Sequence, residues 1–350
     1  MLISLLFLFS FNNTETTIIH TDTYGKLSPE RVLLFPDGSL FLLGDKAVIT
    51  HFDTEGRVLK RFGGSGQGPG EFQYPSALYS DGRSLFVWDA EGRISQFDEK
   101  GQFLRHLKPK HFGIELIRVA DGWAYGNWNS AEDSLPDYPV SVFLCDGDAA
   151  NPREITTTKG NGYGATFIAE GTRSIYTPVR PRARLETSRD QKSLYVVNPS
   201  RLAVRVFDAR TGTMVSHFKK EMPVHPFNPD WANIRLKQVK AMYPDRTYKT
   251  NYYENFPVVR DFWVSPDDDL VFRLWTFEPH KRDTVFVCDA KGQPAETSLS
   301  WRDWRRWCAT WGRKVLLIAV DQKTDENLLV WQPAEKMSSW FSANPLNTAD

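Results

Sequence analysis

The stretch Gly63-Gly-Ser-Gly-Gln-Gly-Pro-Gly-Glu-Phe-Gln-Tyr-Pro75 sits between two copies of one pattern. Each copy has an apolar strand, a turn with Asp and Gly, a second strand, a third strand ending in Phe-Asp-x-x-Gly, and a fourth strand. The first copy closes with Ile49-Thr-His-Phe-Asp-Thr-Glu-Gly-Arg-Val-Leu-Lys-Arg-Phe62, the second with Ile94-Ser-Gln-Phe-Asp-Glu-Lys-Gly-Gln-Phe-Leu-Arg-His-Leu107. A four-stranded unit recurring at this period predicts a β-propeller. Such a unit cannot bury its faces alone and must stack on its neighbours.

Six units can be read outward from this linker. They run from about Glu30 to Phe62, Ser76 to Leu107, Ile114 to Thr157, Ala183 to Phe218, Val258 to Leu299 and Trp307 to Trp331. The turn between the first two strands recurs as Pro36-Asp-Gly38, Ser80-Asp-Gly82, Ala120-Asp-Gly122, Arg189-Asp-Gln191 and Pro266-Asp-Asp268. The sixth unit shows only three strands. The β-branched run Thr16–Thr21 is expected to supply the fourth by pairing with Asn327–Trp331, which would leave no open edge at the joint. The expected fold is all-β: a six-bladed propeller over 15–332, closed by its N-terminal strand, with one helical insertion between blades 4 and 5. Residues 1–14 read as an export signal or a disordered segment, and 333–350 as a C-terminal tail.

The 350 residues carry 43 basic and 43 acidic side chains. This balance argues against a general polyanion binder, so no nucleic-acid partner is expected. Hydrophobic residues make up 41% and aromatics 13%, enough for a large core. The apolar run Met1–Ser10 is too short to span a bilayer. It resembles the apolar part of a signal peptide, although it lacks a basic start and a small-x-small cleavage site. A periplasmic or extracellular location follows as the expectation, with no transmembrane segment. Cys145 and Cys288 fall at one position in two different repeats, too far apart for a disulfide. All three cysteines, Cys308 included, are expected to be reduced and structural.

Strand order sorts the loops. Let a to d be the strands from the axis outward. The a–b and c–d turns then lie at one end, the b–c and d–a connections at the other. The a–b and c–d turns here are short. The long segments Gly63–Pro75, Asn127–Pro139, Lys159–Pro181, Lys219–Pro257 and Trp275–Asp283 are all of the other two kinds. Binding residues concentrate on such loops. The longest holds a predicted helix, with Asn228 as cap, Pro229 in its first position and Pro244 as its stop. Trp231, Ile234, Leu236, Val239 and Tyr243 are expected to pack on the propeller. Arg235, Lys237 and Lys240 are expected to face water.

The motif Phe62-Gly-Gly-x-Gly-x-Gly-Pro-Gly-Glu-Phe-x-x-Pro75, with Phe97-Asp-x-x-Gly-x-Phe-Leu104, resembles the NHL-repeat and related six-bladed, TolB-like propellers of bacteria. Phe256-Pro-Val-Val-Arg-Asp-Phe-x-Val-x-Pro-Asp267 resembles the penultimate blade of that group. The resemblance covers about residues 16 to 332. It implies the fold and says little about activity, because such propellers host ligand binding, protein binding and several enzymes.

No catalytic set and no cofactor site is expected from the residue pattern. The loop Gly63–Gly70 lacks the Gly-Lys-Ser/Thr of a phosphate cradle and leads to a strand, so it reads as a connector. Lys159-Gly-Asn-Gly-Tyr-Gly164 reads as a flexible loop. Arg118, Arg182, Arg184 and Arg260 fall on inner strands, where they would bind an anion or, the favoured reading, pair with nearby carboxylates. Trp128, Tyr138, Trp231, Tyr252, Tyr253, Trp275, His280 and Arg282 lie in the long segments, as a binding patch or as packing for the insertions. The leading expectation is a monomeric, non-enzymatic module that binds a protein, peptide or glycan on its insertion-bearing face. The alternative is a channel-centred metal-dependent hydrolase or lyase, which would need carboxylate, Asn or His ligands converging on one point.

Overall fold

The computed structural model describes residues 17–20, 31–35, 37–89, 92–109, 115–128, 139–159, 165–169, 175–176, 184–188, 190–226, 229–245, 247–252, 255, 258–264, 268–274, 285–294, 306–311, 314–320 and 327–333. In chain order, β1 (Thr17–His20) comes first. The first sheet is β2 (Val32–Leu34), β3 (Leu40–Leu43), β4 (Val48–Phe52) and β5 (Val58–Gly63). The second is β6 (Pro75–Ser80), β7 (Ser84–Asp89), β8 (Arg93–Asp98) and β9 (Phe103–Leu107). The third is β10 (Glu115–Val119), β11 (Gly122–Trp128), β12 (Pro139–Asp146) and β13 (Arg153–Lys159). After β14 (Ala165–Ala169) and β15 (Ile175–Tyr176) comes the fourth, of β16 (Arg184–Thr187), β17 (Ser193–Asn198), β18 (Ala203–Asp208) and β19 (Met214–Lys219). The helix α1 (Pro229–Met242) and β20 (Tyr248–Tyr252) precede the fifth sheet, β21 (Val259–Val264), β22 (Leu270–Leu274) and β23 (Val285–Cys288). The last is built from β24 (Arg306–Trp311), β25 (Lys314–Val320) and β26 (Asn327–Pro333), with β1 added outside β26.

All the pairings in these sheets are antiparallel, and apart from β1 the strands pair in chain order. The first strands of successive sheets lie against one another: β2 on β6, β6 on β10, β10 on β16, β16 on β21, and β24 on β2. β1 pairs with β26 with Thr17 opposite Trp331 and His20 opposite Leu328. The first segment of the chain thus completes the sheet formed by the last, where the β-branched run predicts it. The result is an all-β, propeller-like fold.

Burial follows strand position. All four residues of β3 are buried, while β5 is exposed at every residue but Phe62. The same gradient separates β17 from β19. Middle strands have a neighbouring sheet on each face, so they read as continuous apolar runs; outer strands meet water at the rim. The core is correspondingly divided into layers between sheets. Phe41, Leu43, Ile49, Phe72, Leu85 and Phe97 fill the space between the first and second. Phe86, Ile94, Leu116, Trp123 and Tyr125 fill the next. Leu144, Leu185, Leu194 and Phe207 follow, then Tyr195, Val204, Phe262 and Phe272. Each such side chain contributes about 1.5–3 kcal/mol on burial.

The aspartate of Phe-Asp-x-x-Gly, which recurs in the looser turns of the later sheets, is a turn device. One oxygen of Asp53 accepts from the backbone N–H of Glu55 and Arg57 at 3.0 and 2.8 Å. Asp98 does the same for Lys100 and Gln102, Asp208 for Arg210 and Thr211, and Asp289 for Lys291 and Gln293. Asp146 takes the same role in the third sheet. The aspartate replaces the amide partners the chain loses when it reverses.

Candidate functional site

The two ends of the molecule are built differently. At the a–b turn end, turns of different sheets bond to one another. Ala120 N donates to Gln191 O at 3.0 Å, and Gln191 Nε2 donates to Ser80 O at 3.1 Å, joining the second, third and fourth sheets. Arg118 is buried among them. Its guanidinium lies 5.1 Å from the Phe86 ring centre and 4.9 Å from that of Trp123. It donates to Gly122 O at 2.8 Å and pairs with Asp81 at 3.7 Å. Burial lowers its pKa from the usual arginine value, against the pull of Asp81. Arg118 is therefore a latch between two sheets, not an open anion site.

The other end begins where the inner strands begin. Glu115 opens β10 and Arg184 opens β16; they approach to 3.7 Å, and Glu115 Oε2 also accepts from Leu185 N at 3.0 Å. Arg184 Nη2 donates to Asp261 Oδ1 at 3.3 Å, and Arg273 on β22 reaches Asp261 at 3.6 Å. Arg260, the extra residue of a bulge in β21, lies 4.0 Å from the same carboxylate. Three arginines and two carboxylates thus link three consecutive sheets. Pairing of this kind is the outcome the sequence favours for Arg184 and Arg260; Arg182 lies outside the described residues.

Above these strand ends the insertions form structure of their own. β14 pairs with β20, Ala165 opposite Tyr252 and Ala169 opposite Tyr248, and β15 pairs with the far side of β14. Two d–a segments from opposite sides of the fourth sheet thereby make one added sheet, and α1 lies against β14. The sequence predicts the helix in these insertions but not this added sheet. The missed signal is the β-rich Ala165-Thr-Phe-Ile-Ala169 and Tyr248-Lys-Thr-Asn-Tyr252, whose pairing depends on two loops meeting. Within α1, Leu236 and Val239 are buried as expected, but Ile234 is exposed at 61%, and Tyr243, just past the end of the helix, at 50%. The correction has a simple cause: Leu236 and Val239 occupy one stripe, and Ile234 lies on another. An open depression of about 460 Å³ lies along the helix at Asp230, Asn233, Ile234, Leu236, Lys237 and Lys240.

Of the proposed binding residues, Trp128 ends β11, Trp231 lies in the first turn of α1 and Tyr252 ends β20. All three belong to this end of the molecule, and their backbone positions alone are described. Tyr138, Tyr253, Trp275, His280 and Arg282 lie outside the described residues. Among the described residues no three His, Cys, Asp or Glu side chains come together as a metal-binding group. No described helix is long and apolar enough to cross a membrane.

The glycine-rich linker is occupied by its own residues. Gly68 N donates to the Glu71 carboxylate at 2.9 Å, and Phe72 is fully buried between the first two sheets. The buried Asp89 accepts from Gln73 N and Tyr74 N at 2.8 and 3.0 Å and pairs with Arg93 at 3.2 Å. Cys145 and Cys288 are free and buried, and burial pushes both thiols up to about 12.

No protein-family model matches this sequence, and no curated protein matches it. Solved structures do resemble the fold. A Bacteroides fragilis protein named as exported shares 10% identity with a TM-score of 0.53, over 94% of this chain and 96% of that one. Hydrazine synthase of Kuenenia stuttgartiensis gives 14% identity, 90% and 81% coverage and a TM-score of 0.43. BamB of Moraxella catarrhalis gives 10%, 92% and 82%, and 0.38. At 10% identity the first of these shows a likeness of fold alone.

Proposed function

We propose that the chain is a six-bladed propeller of the kind the NHL-repeat and TolB-like resemblance implies. In this reading it is a non-enzymatic module that holds a protein, peptide or glycan partner on its insertion-bearing end. One observation supports the reading above others: two separate insertions are built into a single sheet with a helix against it. Ordering a chain segment costs about 1–2 kcal/mol per residue. The opposite end is finished with short Asp-capped turns, so the scaffold has no need of the extra length. Trp128, Trp231 and Tyr252 are the residues at this end from which a binding surface would be made. Export to the periplasm or outside the cell rests on the apolar run Met1–Ser10.

The test is capture of partners from the native source with wild type and with a Trp128→Ala/Trp231→Ala/Tyr252→Ala variant. Loss of a specific partner at unchanged melting temperature supports the reading. An identical partner set removes the face assignment, and unfolding of the variant makes these aromatics packing residues.

A further inference from the structure

Outer strands β5, β9 and β19 are equivalent, each beginning two residues after its turn glycine. Their sequences are Val58-Leu-Lys-Arg-Phe62, Phe103-Leu-Arg-His-Leu107 and Met214-Val-Ser-His-Phe218. The third position differs. Lys60 reaches the next sheet, donating to Lys100 O at 2.9 Å and Gly101 O at 3.4 Å. Arg105 reaches the next sheet as well, pairing with Asp148 at 2.7 Å. β19 has Ser216 there, and a serine cannot span that gap. Cations in the middle of an edge strand are one of the ways proteins prevent strand addition. β19 has none between Met214 and Phe218, and Met214 and Val215 are 51% and 61% exposed.

The ladder shows which backbone groups point outward. Lys220 N donates to Leu202 O at 3.1 Å, and Ala203 faces Lys219 while Val204 faces Phe218. Hydrogen-bonded pairs alternate along an antiparallel ladder. Phe218 and Ser216 therefore bond to β18, and the N–H and C=O of His217 and Lys219 point away from the sheet.

Charge is added at both ends of this edge. Arg210 and Lys291 are exposed at the turn end, while the neighbouring Asp208 and Asp289 carboxylates are engaged by their own turn amides. At the far end are Lys219, paired with Glu221, and Lys220, 5.7 Å from the Phe286 ring. Six strand residues span about 20 Å. We propose that the outer edge of β19 is a docking site for an extended segment of a partner protein. The segment carries acidic residues at both ends of an alternating apolar core and adds to the fourth sheet as a fifth strand. This surface runs along the rim, from the turn end to the start of the Lys219–Pro257 insertion.

The test uses the full chain and a fluorescein-labelled synthetic peptide, Asp-Glu-Val-Thr-Val-Thr-Val-Glu-Asp, read by anisotropy at low salt. A copy N-methylated at alternate residues serves as control. His217→Pro removes an outward N–H without touching the β18 ladder, and Arg210→Glu/Lys291→Glu reverses the charge at one end. The peptide is expected to bind, the methylated copy to fail, and each variant to weaken binding by about tenfold or more. The charge variant should keep the wild-type melting temperature. Equal binding of both peptides, or wild-type affinity in both variants, overturns the proposal. Dimers that His217→Pro converts to monomers would make a second copy the occupant and overturn the partner assignment.

Discussion

The α-carbon of Gly101 rests on the ring of Phe62, so closely that a β-carbon there would lie 2.6 Å from it. Gly101 belongs to the turn of the second sheet and Phe62 to the outer strand of the first. Gly292 meets Phe218 at the same distance, and Gly212 meets Ile155 at 2.4 Å, across the fifth-to-fourth and fourth-to-third joints. The glycine of Phe-Asp-x-x-Gly, and of its variants ending in Gly212 and Gly292, therefore serves twice. It takes the positive φ of the turn, +70° at Gly101, and it lets one sheet close onto the last strand of its predecessor.

Gly101→Ala should destabilise the fold by about 2–4 kcal/mol, combining backbone strain with overpacking. Gly147→Ala, where the nearest atom to a β-carbon is 3.5 Å away, should cost far less. Urea unfolding of the two variants measures the difference. Equal midpoints would show that the Phe62 contact is slack.

Removal of residues 1–22 takes away β1 and exposes the edge of β26. A loss of about 3 kcal/mol or more, with a fall in melting temperature, is expected from a lesion of this kind. Calorimetry of the truncated chain checks it, and an unchanged melting temperature would mean that β1 is dispensable.

Arg118→Ala should cost about 2–4 kcal/mol, because it empties the space between Phe86 and Trp123 and removes the bond to Gly122 O. Arg118→Lys keeps the charge but not the flat stack, and should recover only part. Chemical denaturation of both variants gives the order; equal stability of Lys and Arg would refute stacking.

The turn aspartates set a pH dependence. Backbone bonds from Thr211 hold Asp208 below the usual carboxylate range, and the Ser188 hydroxyl does so for Asp190. A carboxylate with a depressed folded pKa contributes stability above its unfolded value of about 3.9, and the contribution is lost as pH falls through the folded pKa. Stability should thus decline below about pH 4. Asp208→Asn should be less stable than wild type at pH 6, and the gap should narrow at pH 3. A gap that widens on acidification would reverse the sign of the argument.

Cys145 and Cys288 should resist an aromatic disulfide reagent at pH 8 in the folded protein and react on unfolding. Burial keeps both thiols protonated well above that pH, with values near 12. Rapid labelling of either in the native state, read by peptide mapping, would contradict their burial.

The sequence by itself determined the repeat. Phe-Asp-x-x-Gly, the Asp-Gly turns and the apolar strands act over a few residues, and local turn chemistry and alternation carry the same meaning in any context. The position of β1 against β26 was legible for a related reason: an incomplete last unit and a β-branched N-terminal run are complementary. The tertiary structure decided what depends on distant pieces meeting. β14 and β20 become one sheet only because the two loops beside the fourth sheet emerge at the same end. Glu115, Arg184 and Asp261 are 69 and 77 residues apart in successive steps, and only the stacking of inner strands brings their charges within 4 Å. Ile234 and Leu236 are both apolar and two residues apart on one helix. Which of them is covered is fixed by the packing of the helix, not by their hydrophobicity, and Leu236 is the one buried.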